Sequence, residues 1–254
     1  MEKKLNRESL RKRWKISGIL IFVVFLLWLP TIVWLCSPYR TLNIWILDKT
    51  VPNKTYREHR GLFWLLNYFK IKNSKTDKLF RYARDYYGFF PRTEDEFDVV
   101  DLYSAQPEHP DLIYLADTYG VYEQEYMRNY IPGDRSPLIY GGLTHEDIFK
   151  IKSNLKDRIT LIAEYNNFQT PTKQDNRLQM EEILGVKWQE WMGRYFFDLV
   201  EGKEVTKWMV DAYERQYGKE WEFKGPGYVI VSNWDDNIHN VYCPCLITLK
   251  NINL

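Results

Sequence analysis

The stretch LNIWILDKTVPNKTYREHRGLFWLLNYFK, residues 42–70, decides the fold class because it contains a strand pattern, a loop and a helix pattern in that order. Residues 42–48 are short and almost wholly apolar, which is typical of a central strand buried on both faces of a sheet. Residues 57–70 follow with apolar side chains at helical spacing. The three elements together predict the opening of a βαβ unit.

The same alternation continues along the chain. Thr144 with Asp147 predicts a helix N-cap, and Gly185 and Gly218 predict the ends of two helices. Apart from residues 137–142, which fit a short strand or a turn, the pattern predicts strands at 97–103, 111–117, 160–166, 227–232 and 245–249, and helices at 144–158, 172–185 and 205–218. The sequence therefore predicts an α/β fold with a doubly wound, mostly parallel sheet and flanking helices.

An uncharged apolar run of 21 residues, ISGILIFVVFLLWLPTIVWLC, occupies positions 16–36. A helix of that length spans the hydrocarbon layer of a bilayer, roughly 30 Å. A buried core helix is the alternative, but this run has no polar face. Since it ends in VWLCSP and lacks the small-residue cleavage pattern of a secretory signal peptide, we predict an uncleaved signal anchor.

Charge sets the expected orientation of that anchor. Residues 1–15 carry a net charge of +5, so the positive-inside rule places them in the cytoplasm. We therefore predict a single-pass protein of the cell membrane, with a basic cytoplasmic segment (1–15), a transmembrane helix (16–36) and one extracytoplasmic α/β domain (41–254). Subtraction from the +1 of the whole chain leaves −4 after residue 15, which argues against nucleic acid as a partner.

Cysteine is scarce in the predicted domain, where Cys243 and Cys245 are the two that occur. Their i, i+2 spacing on a strand points both thiols to one face, which is poor geometry for a mutual disulfide. We expect two buried thiols, with a strained redox pair as the alternative, and the sequence does not fix their redox state.

Three predicted strands end in, or close to, an acidic residue: Asp48, Asp117 and Glu164. Ligands of open α/β sheets bind beyond the carboxyl ends of the strands, so we expect these three loops to converge on one edge. Carboxylates there can serve as acid and base, bind a metal, or accept sugar hydroxyls. The alternative is that they cap neighbouring helices or accept amide hydrogen bonds from their own loops.

Other side chains near these strand ends are candidate ligand-binding residues: Arg57, His59, Thr118, Tyr119, His145 and Asn166. The basic string YREHRG, residues 56–61, suits an anionic group at a helix N-terminus, although a solvated face is an equal alternative. The chain lacks a phosphate loop, a dinucleotide-binding glycine pattern and a His-Glu-x-x-His motif. We therefore expect no cofactor and no metal.

Aromatic residues make up 17% of the chain and are concentrated in residues 81–91 and 186–199. Rings at loop positions can stack on the faces of sugars, with nearby carboxylates and arginines ordering the hydroxyls. Alternatively they cover a sheet edge or a protein partner. The expected partners are therefore the membrane, an envelope glycan or another membrane protein.

The order of ILDKTVPNKTYREHRGLFWLL, LIYLADTYG, IYGG and LIAEYNNFQTPT resembles the class I glutamine amidotransferase-like domain of flavodoxin type, over most of residues 41–232. That family carries a cysteine flanked by glycines at the strand-turn-helix elbow, and a histidine and glutamate later in the chain. Here Glu164-Tyr165-Asn166 occupies the elbow, and there is no nearby cysteine and no late His-x-Glu pair. The resemblance implies a flavodoxin-type fold without glutaminase activity.

Two functions follow from these patterns. One is a membrane-anchored extracytoplasmic domain that binds a ligand or partner at the cell envelope without catalysis. The other is a carboxylate-dependent hydrolase or transferase that acts on envelope glycans through Asp48, Asp117 and Glu164. The second gains support if these carboxyl groups lie within about 10 Å of one another in a concave pocket.

Overall fold

The computed structural model describes residues 2–93, 96–105, 109–126, 136–155, 159–233 and 237–242, and it divides into two compact units, Met1–Arg40 and Thr41–Leu254. The first unit contains helix α1, Glu2–Cys36. Its segment Arg13–Cys36 contains an 18-residue window with a mean hydropathy of 2.7 and is long and apolar enough to cross a membrane. The predicted helix at 16–36 is confirmed as a helix.

The described part of the second unit is a mixed α/β structure. Its strands are β1 Arg40–Leu42, β2 Ile44–Asp48, β3 Ile71–Asn73, β4 Lys78–Leu79, β5 Tyr87–Pro91, β6 Phe97–Val100, β7 Leu112–Asp117, β8 Val121–Tyr122, β9 Leu138–Tyr140, β10 Thr160–Ala163, β11 Trp191–Phe196, β12 Gly227–Ser232 and β13 Ile238–Tyr242. Its helices are α2 Arg57–Tyr68, α3 Glu123–Tyr126, α4 His145–Asn154, α5 Gln174–Leu184 and α6 Lys207–Tyr217, with short 3-10 helices at Leu102–Ser104 and Tyr165–Asn167.

The central sheet has five strands in the order β10-β7-β2-β5-β6. The first four are parallel, whereas β6 returns antiparallel beside β5. All five residues of β2 are buried, as the apolar run predicted. Register pairs Asp48 with Asp117, so the carboxyl ends of β2 and β7 lie side by side. On its other side, Asp48 pairs with Gly88 near the start of β5.

Alternate residues of β2 pack against different helices. Trp45 and Leu47 share a buried cluster with residues of α4 and α5, whereas Ile44 and Ile46 share another with residues of α2: Ile148, Ile151 and Met180 in the first, Phe63 and Leu66 in the second. Full burial of a side chain of this size contributes roughly 1.5–3 kcal/mol. Apolar residues on both faces of one strand therefore explain why the sheet has helices on both faces.

The helix boundaries follow the signals in the sequence. The Thr144 hydroxyl accepts from the Asp147 amide while the Asp147 carboxylate accepts from the Thr144 amide, which completes the predicted N-cap as a capping box. Gly185 and Gly218 end α5 and α6 in the left-handed conformation, with φ of 66° and 63°. Three of the predicted boundaries are thereby confirmed.

A second sheet, in the order β11-β12-β13, is antiparallel and packs on α6 through its own buried cluster, which includes Phe196, Val210 and Val229. The strand predicted at residues 227–232 is confirmed as β12, and it belongs to this antiparallel sheet instead of the central one. Buried residues alternate with exposed or half-buried ones over most of β12, which is typical of a strand with one solvent-facing side. An unbroken apolar run concealed that alternation in the sequence.

Other predicted strands differ from the structure in length or setting. The strand predicted at 97–103 is the exposed edge strand β6 followed by a 3-10 turn, and the one predicted at 160–166 ends at Ala163 as a half-exposed edge strand. Strands β5 and β11 lie inside the two aromatic clusters and were not predicted. The strand predicted at 245–249, with Cys243 and Cys245, lies outside the described residues.

Candidate ligand-binding site

The carboxylates at the sheet edge are held by neighbouring protein groups. Asp48 ends β2 and Asp117 ends β7, while Glu164 directly follows β10. The sheet order places these three strands next to one another, so the three residues lie along one edge. Each of them has a different set of hydrogen-bond partners.

Asp48 is fully buried and contacts His59, which is also fully buried on α2. Its Oδ2 lies 2.6 Å from His59 Nδ1, and its Oδ1 accepts from the Thr50 amide at 2.9 Å. His59 Nε2 lies 2.8 Å from the Tyr82 carbonyl oxygen, which only accepts, so Nε2 carries a hydrogen. One further proton lies between His59 Nδ1 and Asp48 Oδ2, either on the imidazole or on the carboxyl group.

Burial raises the pKa of Asp48 above its ordinary value, and the hydrogen bond and charge of His59 act in the opposite direction. Between the ordinary pKa and the raised one, the folded chain binds more protons at Asp48 than the unfolded chain does. Linkage then requires that this carboxyl group lowers stability as pH rises through that window. His59 limits the loss by stabilising the ionised form.

Replacing His59 with phenylalanine is therefore expected to make stability more sensitive to pH. Without the imidazole, the pKa of Asp48 rises further, so the variant loses more stability at pH 8 than at pH 5, by about 1–2 kcal/mol. Urea unfolding at both pH values measures the difference. Adding Asp48→Asn to His59→Phe is expected to remove this difference between the two pH values. If His59→Phe alone loses the same stability at pH 5 and at pH 8, Asp48 is not the source of a pH-dependent loss.

Asp117 joins three loops at the sheet edge. Its Oδ1 accepts from the Thr50 hydroxyl and the Tyr119 amide, both at 2.7 Å, and its Oδ2 accepts from the Asn166 side-chain amide at 2.5 Å. Gln169 then donates to Asn166 Oδ1 at 3.1 Å. Through these hydrogen bonds, the Asp117 carboxylate positions Thr50, Tyr119 and Asn166.

Glu164 is half-buried and accepts a hydrogen bond from the Tyr114 hydroxyl. Burial, followed by this contact, raises the pKa of Tyr114, so the phenol remains the donor. All three carboxylates thus accept protein hydrogen bonds, which is the arrangement that favours a structural role for them.

Lys49 was not predicted as a site residue, although it directly follows Asp48. Its Nζ lies 2.6 Å from Asp147 Oδ2 and donates to the Gly142 carbonyl at 2.9 Å, with both charged side chains almost fully buried. The ammonium also lies 5.0 Å from the centre of the Tyr140 ring. This ion pair ties the end of β2 to the start of α4 beneath the sheet edge.

A cleft of about 1240 Å³ opens beside these carboxylates, larger than most small-molecule sites. One wall comes from α2 and the loops that follow β7 and β10, and includes Arg57, Tyr119, Asn166, Phe168 and Gln169. The other wall comes from β11 and the loop before it, and includes Lys187, Trp188, Trp191 and Arg194. None of Asp48, Asp117 and Glu164 is among the lining residues.

Buried polar side chains hold the second wall in place. Arg177 of α5 is almost fully buried, donates to Glu190 at 2.9 Å, and places its guanidinium carbon 5.5 Å from the Trp188 ring centre. Asn233 directly follows β12, and its side-chain Oδ1 accepts from the Thr170 amide and hydroxyl, both at 3.1 Å. Its backbone N–H donates to the Glu190 carbonyl at 2.9 Å. The loop that carries Trp188 is thus attached both to α5 and to β12.

The cleft has a positive lining with flat aromatic faces. Arg57, Lys187 and Arg194 contribute three cations, and the described lining residues include no aspartate or glutamate. Arg57 is also paired with Glu58 at 2.5 Å, so part of its charge is neutralised. Trp188, Trp191, Tyr119 and Phe168 supply rings, of which Trp191 is 44% exposed and Tyr119 37%.

The six predicted ligand-binding residues occupy different places. Arg57, Tyr119 and Asn166 line the cleft together. His59 and Thr118 are fully buried, and His145 is exposed at the start of α4. Lys187 and Arg194 were not predicted, although they lie inside the aromatic cluster at 186–199, for which stacking on sugars was one of the two predicted roles.

Comparison of the chain with protein-family models, with curated proteins and with solved structures finds no match.

Proposed function

We propose that this chain is a membrane-anchored, extracytoplasmic binding domain that holds an acidic envelope glycan in the cleft, without catalysing a reaction on it. The observation that carries the proposal is the cleft lining, which combines three cations with aromatic faces and side-chain amides. Cations attract carboxylate or sulfate groups, rings stack on pyranose faces, and amides bind hydroxyls.

The location of the domain follows from its N-terminal helix. The Arg13–Cys36 segment has the length and composition of a membrane span, and residues 1–15 carry the positive charge that favours retention in the cytoplasm. An alkaline phosphatase reporter at the C-terminus is expected to be active in cells. A reporter that is active only in the cytoplasm is expected to be inactive at the same position. The reverse pattern would contradict this orientation.

The fold proposal is a doubly wound, flavodoxin-type sheet, related to amidotransferase-like domains that lack the nucleophile. Along the chain, the four parallel strands come in the sequence β2, β5, β7 and β10, so their spatial order β10-β7-β2-β5 is 4-3-1-2. This order matches the first four strands of the flavodoxin order, 2-1-3-4-5, read from the opposite side of the sheet. Strands β2 and β7 then flank the switch point, where such sheets bind ligands. Tyr119 and Asn166, which Asp117 positions, lie beside it.

The alternative, a glycan hydrolase or transferase, has weaker support. Such enzymes need carboxyl groups that reach the substrate from both sides of the scissile bond. Asp48 is fully buried against His59, Asp117 accepts three hydrogen bonds, and Glu164 is engaged by Tyr114. These hydrogen bonds favour a structural role for the three carboxylates.

Binding of an acidic glycan is expected to depend on Arg194. The test uses full-length protein in lipid nanodiscs, titrated with an oligogalacturonide and separately with a neutral malto-oligosaccharide of equal length. Arg194→Glu is expected to raise the Kd for the acidic probe by about tenfold, which corresponds to about 1.4 kcal/mol. Trp188→Ala is expected to weaken binding of the acidic probe as well, because it removes a stacking face.

The matched control is Arg215→Glu, which makes the same charge change at an exposed position on α6 outside the cleft lining. It is expected to leave the Kd unchanged. Equal weakening by both arginine variants would mean that net charge, rather than the cleft, governs binding. No binding of either probe would contradict the glycan proposal, and release of reducing ends over time would favour the enzyme instead.

A further inference from the structure

Helix α2 presents an aromatic face on the side opposite its buried one. Phe63 and Leu66 pack into the core, whereas four large apolar side chains on α2 and at the residue directly after it remain exposed: Trp64, Leu65, Tyr68 and Phe69. Trp64 is 63% exposed and Phe69 61%. The Trp64 and Tyr68 rings stack with their centres 5.3 Å apart. A contiguous exposed apolar face of this kind marks an interaction surface.

Helix α2 is connected to the proposed anchor by a short stretch of chain and by one small sheet. Strand β1 begins at Arg40, four residues after Cys36, a separation that an extended chain spans in at most about 14 Å. Strand β1 pairs with β3, which follows α2 after two residues. Leu42 of β1 and Ile71 of β3 pack into the same core cluster as α2.

The hairpin of β3 and β4 adds positive charge to the same region. Lys72, Lys75 and Lys78 are opposed by one acidic residue, Asp77, which pairs with Lys72 at 3.1 Å. Lys75 and Lys78 are exposed. Exposed lysines next to exposed tryptophan and tyrosine match a membrane surface, where ammonium groups bind anionic headgroups and aromatic rings favour the interfacial layer.

We propose that the aromatic face of α2 and the β3–β4 hairpin dock onto an anionic lipid surface, the leaflet from which the anchor emerges. This inference rests on the proposed membrane anchor and is independent of the ligand in the cleft. Docking gives the domain a second attachment to the membrane, in addition to the anchor. Its consequence is that the domain has a preferred orientation on the membrane.

Oxidation footprinting by hydroxyl radicals, resolved by residue with mass spectrometry, tests this proposal on the full-length protein. One copy is placed in each nanodisc of phosphatidylcholine and phosphatidylglycerol. Each docking residue has a control of its own type: Trp191 for Trp64, Tyr228 for Tyr68 and Phe197 for Phe69. Since Trp64 is 63% exposed and Trp191 44%, Trp64 is expected to react more slowly than Trp191 only if the membrane covers it.

Protection of Trp64 and Phe69 that weakens in Lys75→Glu/Lys78→Glu, or in nanodiscs of phosphatidylcholine alone, supports docking. Oxidation rates that simply follow exposure would overturn it, as would protection that appears only with two copies in one nanodisc, which indicates self-association. Alkaline carbonate extraction separates the two claims. A chain released by carbonate contradicts the anchor itself, whereas an integrated chain with a reactive Trp64 contradicts docking alone.

Discussion

Replacing Gly88 with alanine is expected to cost more than about 4 kcal/mol of the free energy of unfolding, a large part of the stability of an ordinary domain. Gly88 has φ of 128°, and a Cβ there would lie 1.8 Å from the Asp48 carbonyl oxygen and 2.6 Å from its carbonyl carbon. Both are backbone atoms of the strand paired with β5. Relief of the clash requires that β2 and β5 separate at the sheet edge.

The control for this variant is Gly61→Ala in the middle of α2. Nothing lies within 4 Å of a Cβ at Gly61, so the only change there is in helix propensity, which favours alanine by about 0.8–1 kcal/mol. Urea unfolding is expected to move the two midpoints in opposite directions. A Gly88→Ala variant that unfolds at the wild-type midpoint would contradict the close approach of β5 to β2.

Lys49→Met is expected to lower the free energy of unfolding by about 3–5 kcal/mol, because removing one partner leaves a buried charge uncompensated. Side-chain exposure is 1% for Lys49 and 2% for Asp147, so water does not replace the lost ammonium. Asp147 keeps its hydrogen bonds from Thr144, which stabilise the helix cap but do not neutralise the carboxylate. Thermal and urea unfolding measure the loss.

An exposed ion pair supplies the control for this second variant. Lys72 and Asp77 lie 3.1 Å apart with Asp77 74% exposed, so Lys72→Met is expected to cost at most about 1 kcal/mol. Adding Asp147→Asn to Lys49→Met is expected to recover part of the stability, since the amide carries no charge. A double variant less stable than Lys49→Met would mean that the buried charge is not the cause.

Several features of the fold could be predicted from local sequence. Residues 44–47 are apolar because β2 is buried on both faces, and Thr144 with Asp147 caps α4 through contacts only three residues apart. The aromatic clusters concealed β5 and β11, because tyrosine, phenylalanine and tryptophan occur in strands, cores and binding surfaces alike. Periodicity alone does not separate those three uses.

The site could be predicted only in part, for a related reason. Arg57, Tyr119 and Asn166 follow strands or begin a helix at one sheet edge, a position that strand order implies. The opposite wall comes from β11, and it is held in place by Arg177 and Asn233 through contacts that bridge 13 to 63 residues of sequence. No local pattern records such contacts. Lys49 was not predicted because a lysine is buried only when a partner such as Asp147 neutralises it, and that partner lies far away in the sequence.

Oxidation of tryptophan side chains can locate the ligand on the protein. Tryptophan oxidation is measured on the full-length chain in nanodiscs, with and without a saturating acidic oligogalacturonide. The cleft proposal predicts that the probe slows oxidation of Trp188 and Trp191 and leaves Trp64, on α2 outside the cleft, at its former rate. Unchanged rates at Trp188 and Trp191 under saturating probe would contradict it.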